Sequence, residues 1–310
     1  MSRVLVTGSC GFIGSVVCRE LLDWGYGVVA FDNLDKGGAS LIDLVQYDNF
    51  EFIEADVRSA SQVKKVFSDK DIIGILHLAS NVGVDICEKK PLESYNINVH
   101  GTETICRLKP PEIPLTFAST ISVYGAVDGV CTESSPRRGK SHYANTKIIA
   151  ENVVMDYDNT TIMRFSTSIG ASPSHRLNLL PNEMVADAII KGVIHVYQGS
   201  SLRNFISVKD MAGALVRSID RPDKYPDQVY NCGNPNLNFT KLELAREIQK
   251  LVPCEIIDCD SGYIDPDNRS YPMDFSRIQS TGWGPLYKMD EILGELVKAT
   301  QLIKRGFYTP

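Results

Sequence analysis

No stretch of the 310 residues approaches the ~20 consecutive apolar positions that a membrane-spanning helix needs, so the reading is a chain with no membrane role. A cleavable signal segment is missing too. Met1-Ser2-Arg3 leads into a short apolar run that glycines interrupt almost at once, and the expected location is the cytoplasm. No basic block offsets the formal charge of -6, which removes the electrostatic footprint of a nucleic-acid partner. Anionic ligands must then be met by a few placed arginines or by helix N-termini. The eight cysteines form no CxxC pair and read as reduced thiols rather than a disulfide or zinc framework. Repeats and low-complexity tracts are absent as well, which sets aside solenoids and disordered chains.

What remains is an ordinary globular composition, 43% hydrophobic and 23% charged, in a chain long enough for two lobes. Short β-rich runs at 3–7, 27–32, 51–55, 72–78, 115–119 and 161–165 alternate with helical patterns at 12–22, 61–67, 94–108 and 143–155. Such alternation predicts a parallel sheet covered on both faces. The rhythm breaks after Gly170 in a connection rich in Ser, Pro, His and Asn, the kind of segment that carries binding residues. Helices at 183–192, 211–219, 240–251 and 289–303 and strands at 204–208, 229–232 and 255–259 complete the reading. The expected architecture is a Rossmann-type doubly wound sheet from residues 1–170 plus about 204–234. A smaller, discontinuous α/β substrate lobe would come from about 171–203 plus 235–310.

Gly8, Gly11 and Gly14 follow the first strand on a GxxGxxG spacing and open the first helix. In that context Gly8 permits a tight turn, Gly11 admits a pyrophosphate to the backbone, and Gly14 lets the helix pack on the sheet. The same spacing also fits a glycine turn with no ligand. Asp32 favours the ligand: it ends the second strand, eighteen residues past Gly14, where a carboxylate accepts both adenosine ribose hydroxyls and repels a 2′-phosphate. That selects NAD over NADP. Asp56, ending the third strand, either meets the adenine amino group or caps the following helix.

Tyr143 and Lys147 stand one helical turn apart on one face. A phenol is a poor base at neutral pH until a nearby ammonium stabilises its phenolate, so this spacing suits proton abstraction. A surface helix with an exposed lysine has the same spacing, and the nucleotide-binding context argues against that reading.

The ordered series of glycine motif, Asp32, Asp56-Val57, His77-Leu78-Ala79-Ser80, Asn98-Val99-His100-Gly101-Thr102, Ser119 to Gly125, Tyr143/Lys147 and Arg203 to Val208 resembles the extended short-chain dehydrogenase/reductases of the nucleotide-sugar epimerase/dehydratase superfamily. The resemblance runs nearly end to end. It implies NAD held against Gly8, Gly11, Phe12, Ile13 and Gly14, against Asp32, Asn33, Asp56 and Val57, and against Leu78, Ala79, Ser80 and Asn98, with Tyr143 and Lys147 at the nicotinamide end. It makes Tyr143 the general base, Thr120 a hydroxyl partner of the same sugar oxygen, and Lys147 the group that holds the nicotinamide ribose. A nucleotide-diphosphate sugar would be bound by Thr120, Thr167, Asn178, Leu179, Arg203 and Arg269, although either arginine could instead sit in a surface ion pair.

Relatives that eliminate water follow the threonine with Asp-Glu, whereas Ile121 and Ser122 stand here, and isoleucine cannot move a proton. Hydride chemistry at C4 therefore remains, either 4-epimerisation or a single transfer on a nucleotide-linked hexose or heptose by a dehydrogenase or ketoreductase. Thr167 in place of asparagine and Val82 in place of lysine depart from many 4-epimerases. A non-catalytic NAD-binding regulator would show a broken Tyr/Lys pair, and this pair is intact. The resemblance also implies a homodimer formed through the Tyr143 helix and the one before it, with Ile148, Ile149, Val153, Ile97, Ile105 and Leu108 as core or contact surface.

Overall fold

A computed structural model describes residues 2–259 and 270–303. Its strands, in chain order, are β1 (Arg3–Thr7), β2 (Gly27–Asp32), β3 (Phe50–Glu54), β4 (Ile72–His77), β5 (Leu115–Thr120), β6 (Thr160–Phe165), β7 (Thr167–Ile169), β8 (Val193–Tyr197), β9 (Leu202–Ser207), β10 (Gln228–Cys232), β11 (Asn238–Thr240) and β12 (Glu255–Cys259). The α-helices are α1 (Gly14–Asp23), α2 (Ala60–Asp69), α3 (Val84–Lys89), α4 (Pro91–Tyr95), α5 (Thr102–Leu108), α6 (His142–Met155), α7 (Leu180–Lys191), α8 (Val208–Asp220), α9 (Lys241–Leu251), α10 (Ser276–Gln279) and α11 (Met289–Ile303).

Seven strands form one sheet in the order β10-β6-β5-β4-β1-β2-β3, and every pair in it is parallel. Parallel neighbours need crossover connections, and the helices that make them cover both faces. Val17 and Leu21 of α1 with Leu215 and Val216 of α8 pack on one side, against Val4, Val6 and Leu76. Val63 of α2, Ile105 of α5 and Ala150 and Val154 of α6 pack on the other, against Leu5, Ile75 and Phe117. β1 is apolar at Val4, Leu5 and Val6 because it is buried on both faces, so it shows no alternation.

After β6 the chain builds two small sheets, β11-β9-β7 and β12-β8, and returns to the large one through β10. A separate apolar core lies there, with Met184 and Val185 of α7, Ile194 of β8, Leu244 of α9 and Leu293 of α11. Local signals set the helix ends. Thr240 and Glu243 form a reciprocal capping box at α9, while α7 has a proline in its first turn and stops at Gly192 in a left-handed conformation.

The expected helix at 94–108 is not one regular helix. α4 and α5 are joined by a π-helical stretch, Asn96–Gly101, which contains the sequence-flagged Asn98 and Gly101. β7, β8, β11 and α3 were not anticipated. Among the described residues no helix is long and apolar enough to cross a membrane.

Asp210 of α8 joins the two halves: its carboxylate accepts the backbone N–H groups of Leu286 at 2.8 Å and Tyr287 at 3.4 Å. Asp210→Ala leaves both donors short of an acceptor and is expected to lower the unfolding free energy by about 2 kcal/mol, measured by urea denaturation.

Candidate active site

A cleft of about 1200 Å³ runs along the carboxyl edge of the large sheet and out over α7 and β8. Its first wall is the turn from β1 into α1. Gly8 has φ +70°, and a Cβ there would fall 2.7 Å from the Ala79 nitrogen; a Cβ on Gly14 would fall 2.2 Å from the Gly8 carbonyl oxygen. Only hydrogen at these two positions lets turn, helix and neighbouring strand come this close. The first turn of α1 has no side-chain cap and no acidic residue, so its N–H dipoles favour an anion. Gly11, Phe12 and Ile13 line the cleft at that turn.

Asp32 is oriented before any ligand arrives: one carboxylate oxygen accepts the Cys10 N–H and the other the Leu34 N–H, each at 2.9 Å. Asn33 lines the cleft beside it, and Leu78, Ala79 and Ser80 continue the wall after β4. Asp56 and Val57 reach the same cleft at its far end. Asp56 does not cap α2, whose N-cap is Ser59. It accepts the Arg58 N–H and pairs with the Arg58 guanidinium, which holds its carboxyl below the usual range.

Asn98 is placed differently from the other cofactor expectations. It is buried behind the wall and is not among the cleft-lining residues. Its side-chain oxygen accepts from Ser80 Oγ and the Asn81 N–H, both at 2.8 Å, while its amide donates to the Asn81 carbonyl and to Thr146 Oγ1. Thr146 belongs to the first turns of α6, so Asn98 ties the cofactor-side loop to the helix bearing Tyr143. An asparagine in a motif signals importance without saying whether it faces the ligand.

Thr120, Tyr143 and Lys147 all line the cleft. Thr120 ends β5 in extended conformation, accepts the Ser122 N–H at 3.2 Å and donates to Ser122 Oγ at 3.1 Å. Tyr143 lies in the first turn of α6, capped by Ser141 accepting from the Ala144 N–H. Lys147 is 2% exposed with its ammonium 4.0 Å from the Phe117 ring centroid, and burial pushes it down to about 7, against the opposing pull of Glu151 and Cys87. Nearby His77 is kept neutral by burial and by Lys147, at about 3, and its ring bonds Thr7 at 2.7 Å and Thr102 at 3.0 Å. These bonds lock β1, β4 and α5 together below the reacting end.

Ile121 points away from this chemistry, into an apolar cluster with Val123, Tyr124 and Tyr271. Thr167, Asn178, Leu179 and Arg203 all line the cleft on its second half. Arg203 is 5% exposed on β9, opposite Phe239 of β11, so it is not a surface residue. Arg269 lies outside the described residues.

Arg176 was missed, although it falls in the Ser/Pro/His/Asn connection flagged as a carrier of binding residues. It lines the cleft, donates toward the Val82 carbonyl at 3.5 Å and to Asn178 Oδ1 at 3.3 Å, and feels the charge of Tyr143. A cation thus reaches the neighbourhood of Val82 from another segment. Lys36 and Lys241 also line the cleft without any motif to mark them.

The residues present fit a dinucleotide: an uncapped helix N-terminus for phosphate, a prepositioned carboxylate for ribose, and a Tyr/Lys pair at the other end. This is the site of a short-chain dehydrogenase/reductase of the extended type, which takes NAD as its cofactor. More narrowly, residues 4–233 match the NAD dependent epimerase/dehydratase family, and the chain belongs to it. UDP-glucose 4-epimerase of Bacillus subtilis is 28% identical over 282 residues, covering 82% of this chain and 83% of that protein. The dTDP-D-glucose 4,6-dehydratase of Mus musculus is also 28% identical, over 320 residues, 96% of this chain and 88% of that protein. In fold the chain is similar to UDP-glucuronic acid 4-epimerase from Bacillus cereus, with a TM-score of 0.86 at 21% identity over 97% and 99% of the two chains.

Asp32→Ser removes the charge that opposes a 2′-phosphate and is expected to narrow the preference for NAD over NADP by at least tenfold, read from the dissociation constants of the two cofactors, about 1.4 kcal/mol or more. Equal affinities in the unaltered protein would show that Asp32 does not discriminate between the two cofactors.

Proposed function

We propose that this enzyme epimerises a nucleotide-activated sugar at C4. The observation that carries the reading is that the cleft gathers Thr120, Tyr143 and Lys147 while Ile121 is buried away from it. The three residues supply proton transfer at a hydroxyl. Ile121 can neither protonate a leaving hydroxyl nor accept a ring proton, and that argues against the elimination performed by a 4,6-dehydratase such as the mouse relative.

NAD held against the glycine turn, Asp32 and Lys147 would supply the hydride exchange at C4. Tyr143, as phenolate, takes the proton of the C4 hydroxyl, and Thr120 donates a hydrogen bond to the same oxygen as charge develops on it. Lys147, as ammonium, stabilises the phenolate and holds the nicotinamide ribose. Tyr143 then returns its proton when the hydride is delivered to the opposite face of the keto sugar. The sugar has to turn over between the two transfers, so it is held loosely while the diphosphate is held firmly. Arg203 and Asn178 are assigned to the diphosphate, together with Arg269, and Leu179 and Thr167 to the nucleotide and sugar ends. Residues 1–170 plus about 204–234 form the NAD lobe in this proposal, and the remainder forms the substrate lobe.

The enzyme is further proposed to be cytoplasmic and homodimeric. Of the apolar residues first considered for the contact, Ile105 is fully buried, and Leu108, Ile148 and Ile97 pack against the core or the cleft. Ile149, 37% exposed on α6, is left for a partner, with Val153 half-buried beside it.

Tyr143→Phe is expected to cut turnover by roughly 10²–10⁴-fold while leaving NAD affinity near its original value, measured by steady-state kinetics and calorimetry. With the unaltered enzyme and a panel of UDP-, GDP-, CDP- and dTDP-sugars, mass spectrometry is expected to show a product of unchanged mass. A product lighter by two hydrogens, with stoichiometric NADH, would make the enzyme a dehydrogenase, and loss of one water would overturn the argument from Ile121.

A further inference from the structure

One turn beyond Lys147 on the same helix is Glu151, whose side chain is fully buried. Its carboxylate is saturated. One oxygen accepts from Ser119 Oγ at 2.5 Å and Arg164 Nε at 2.9 Å; the other accepts from Arg164 Nη2 at 2.6 Å and Arg137 Nη1 at 3.1 Å. Arg164 comes from β6 and is itself 3% exposed, with Nη1 donating to Tyr124 Oη and to the Glu133 carbonyl. Tyr124 passes the chain on to Asn231 of β10 at 2.5 Å. Ser119 is the residue immediately before Thr120. A single carboxylate therefore binds the helix that carries Tyr143 and Lys147 to the strand end that carries Thr120.

We propose that Glu151 is a positioning residue for the reaction: it fixes α6 against the end of β5 and acts as the counter-charge that keeps Lys147 an ammonium. The proposal rests on the reading of Tyr143 and Lys147 as the proton-transfer pair. The groups facing Lys147 leave this role to Glu151. On its own helix are Tyr143 and Glu151; β4 contributes neutral His77, β5 the Phe117 ring, and α3 the Cys87 thiol. Glu88 of α3 is turned outward to the His142 N–H, and the guanidinium groups of Arg164 and Arg137 are paired with the Glu151 carboxylate. Among these, Glu151 is the one permanent negative charge. Burial by itself drives Lys147 toward neutrality, and Glu151 opposes it.

The signs for catalysis follow. Activity needs a charged Lys147 and an ionised Tyr143, so kcat/KM falls on the acid side as Tyr143 gains its proton and on the alkaline side as Lys147 loses its own. Removing the negative charge weakens the ammonium, and the weaker ammonium in turn weakens the phenolate, so both limbs move inward. Removing a competing cation from Glu151 does the opposite.

The test compares pH profiles of kcat/KM for the whole enzyme, Glu151→Gln and Arg137→Gln. Glutamine keeps an acceptor for Ser119, and Glu151→Gln is expected to draw the alkaline limb down and the acid limb up by about one pH unit each. Arg137 is partly exposed and outside the cleft; Arg137→Gln is expected to fold and to move the alkaline limb upward with kcat at neutral pH within about twofold. If Glu151→Gln unfolds because Arg164 loses its counter-ion, the Arg137 variant still decides the matter. Limbs that stay in place in a folded Arg137→Gln, or a folded Glu151→Gln with lower kcat and an unmoved profile, would overturn the proposal and leave Glu151 a structural residue. Full activity of Tyr143→Phe would instead overturn the catalytic assignment, so the two failures are separable.

Discussion

Everything in the cleft depends on the central sheet being parallel throughout. Seven strands running one way end on one edge, and each must be followed by a crossover that leaves from that edge. Thr7, Asp32, Glu54, His77, Thr120 and Phe165 are the last residues of their strands; Asp32 and Thr120 lie on these ends, and Tyr143 and Lys147 reach the same cleft from α6. The order β4-β1-β2 also opens a gap between crossovers on opposite faces, because the chain leaves β1 for one side and β4 for the other. The glycine turn sits in that gap.

A sheet edge of this kind is polar while its interior is apolar, and the transition is managed by side chains that bridge elements. His77 is neutral and bonded on both ring nitrogens; Asn98 uses both its oxygen and its amide; Glu151 spreads its charge over two guanidinium groups and a hydroxyl. Buried groups of this type are costly when one partner is lost, and costlier if they are charged. They therefore restrict the relative motion of β5, β6, α5 and α6, which is what a proton transfer over hydrogen-bond distances requires. The turn from β6 into β7 shows a different economy, with hydroxyls at Ser166, Thr167 and Ser168 that have no protein partner among the described residues.

The large sheet was legible because its strands are apolar on both faces and bounded by glycine or polar turns, so β1, β2, β4 and β10 were placed within a residue or so of their observed ends. β7, β8 and β11 were not. β7 and β11 are three residues long, too short for a periodic signal, and β8, although it alternates as a strand does, is separated from the helical pattern of α7 by Gly192 alone. The π-helical stretch around Asn98 was hidden for another reason: its side-chain spacing continues the helical pattern, and the extra residue per turn leaves no compositional mark. Of the residues that line the cleft, the glycine turn, Asp32, Thr120, Tyr143 and Lys147 were marked by spacing and resemblance. Arg176 and Glu151 were not singled out, since an arginine in a long connection and a glutamate on a helix have many ordinary explanations until their partners are known.

The hydrogen bond from the Cys10 N–H to Asp32 has a thermodynamic meaning. Together with the Gly8 N–H bonded to the Phe31 carbonyl and Ser40 Oγ bonded to the Cys10 carbonyl, it latches the glycine-rich turn to the second strand and to the segment that follows that strand. Glycine turns are the segments with most conformational freedom to lose. Here that loss is incurred when the chain folds, so a dinucleotide meets a rigid slot and its binding energy is not consumed in ordering the loop. Such a slot is expected to release its occupant slowly, since departure brings the loop no gain in disorder, and slow release suits an enzyme whose cofactor is restored to its starting oxidation state within each cycle.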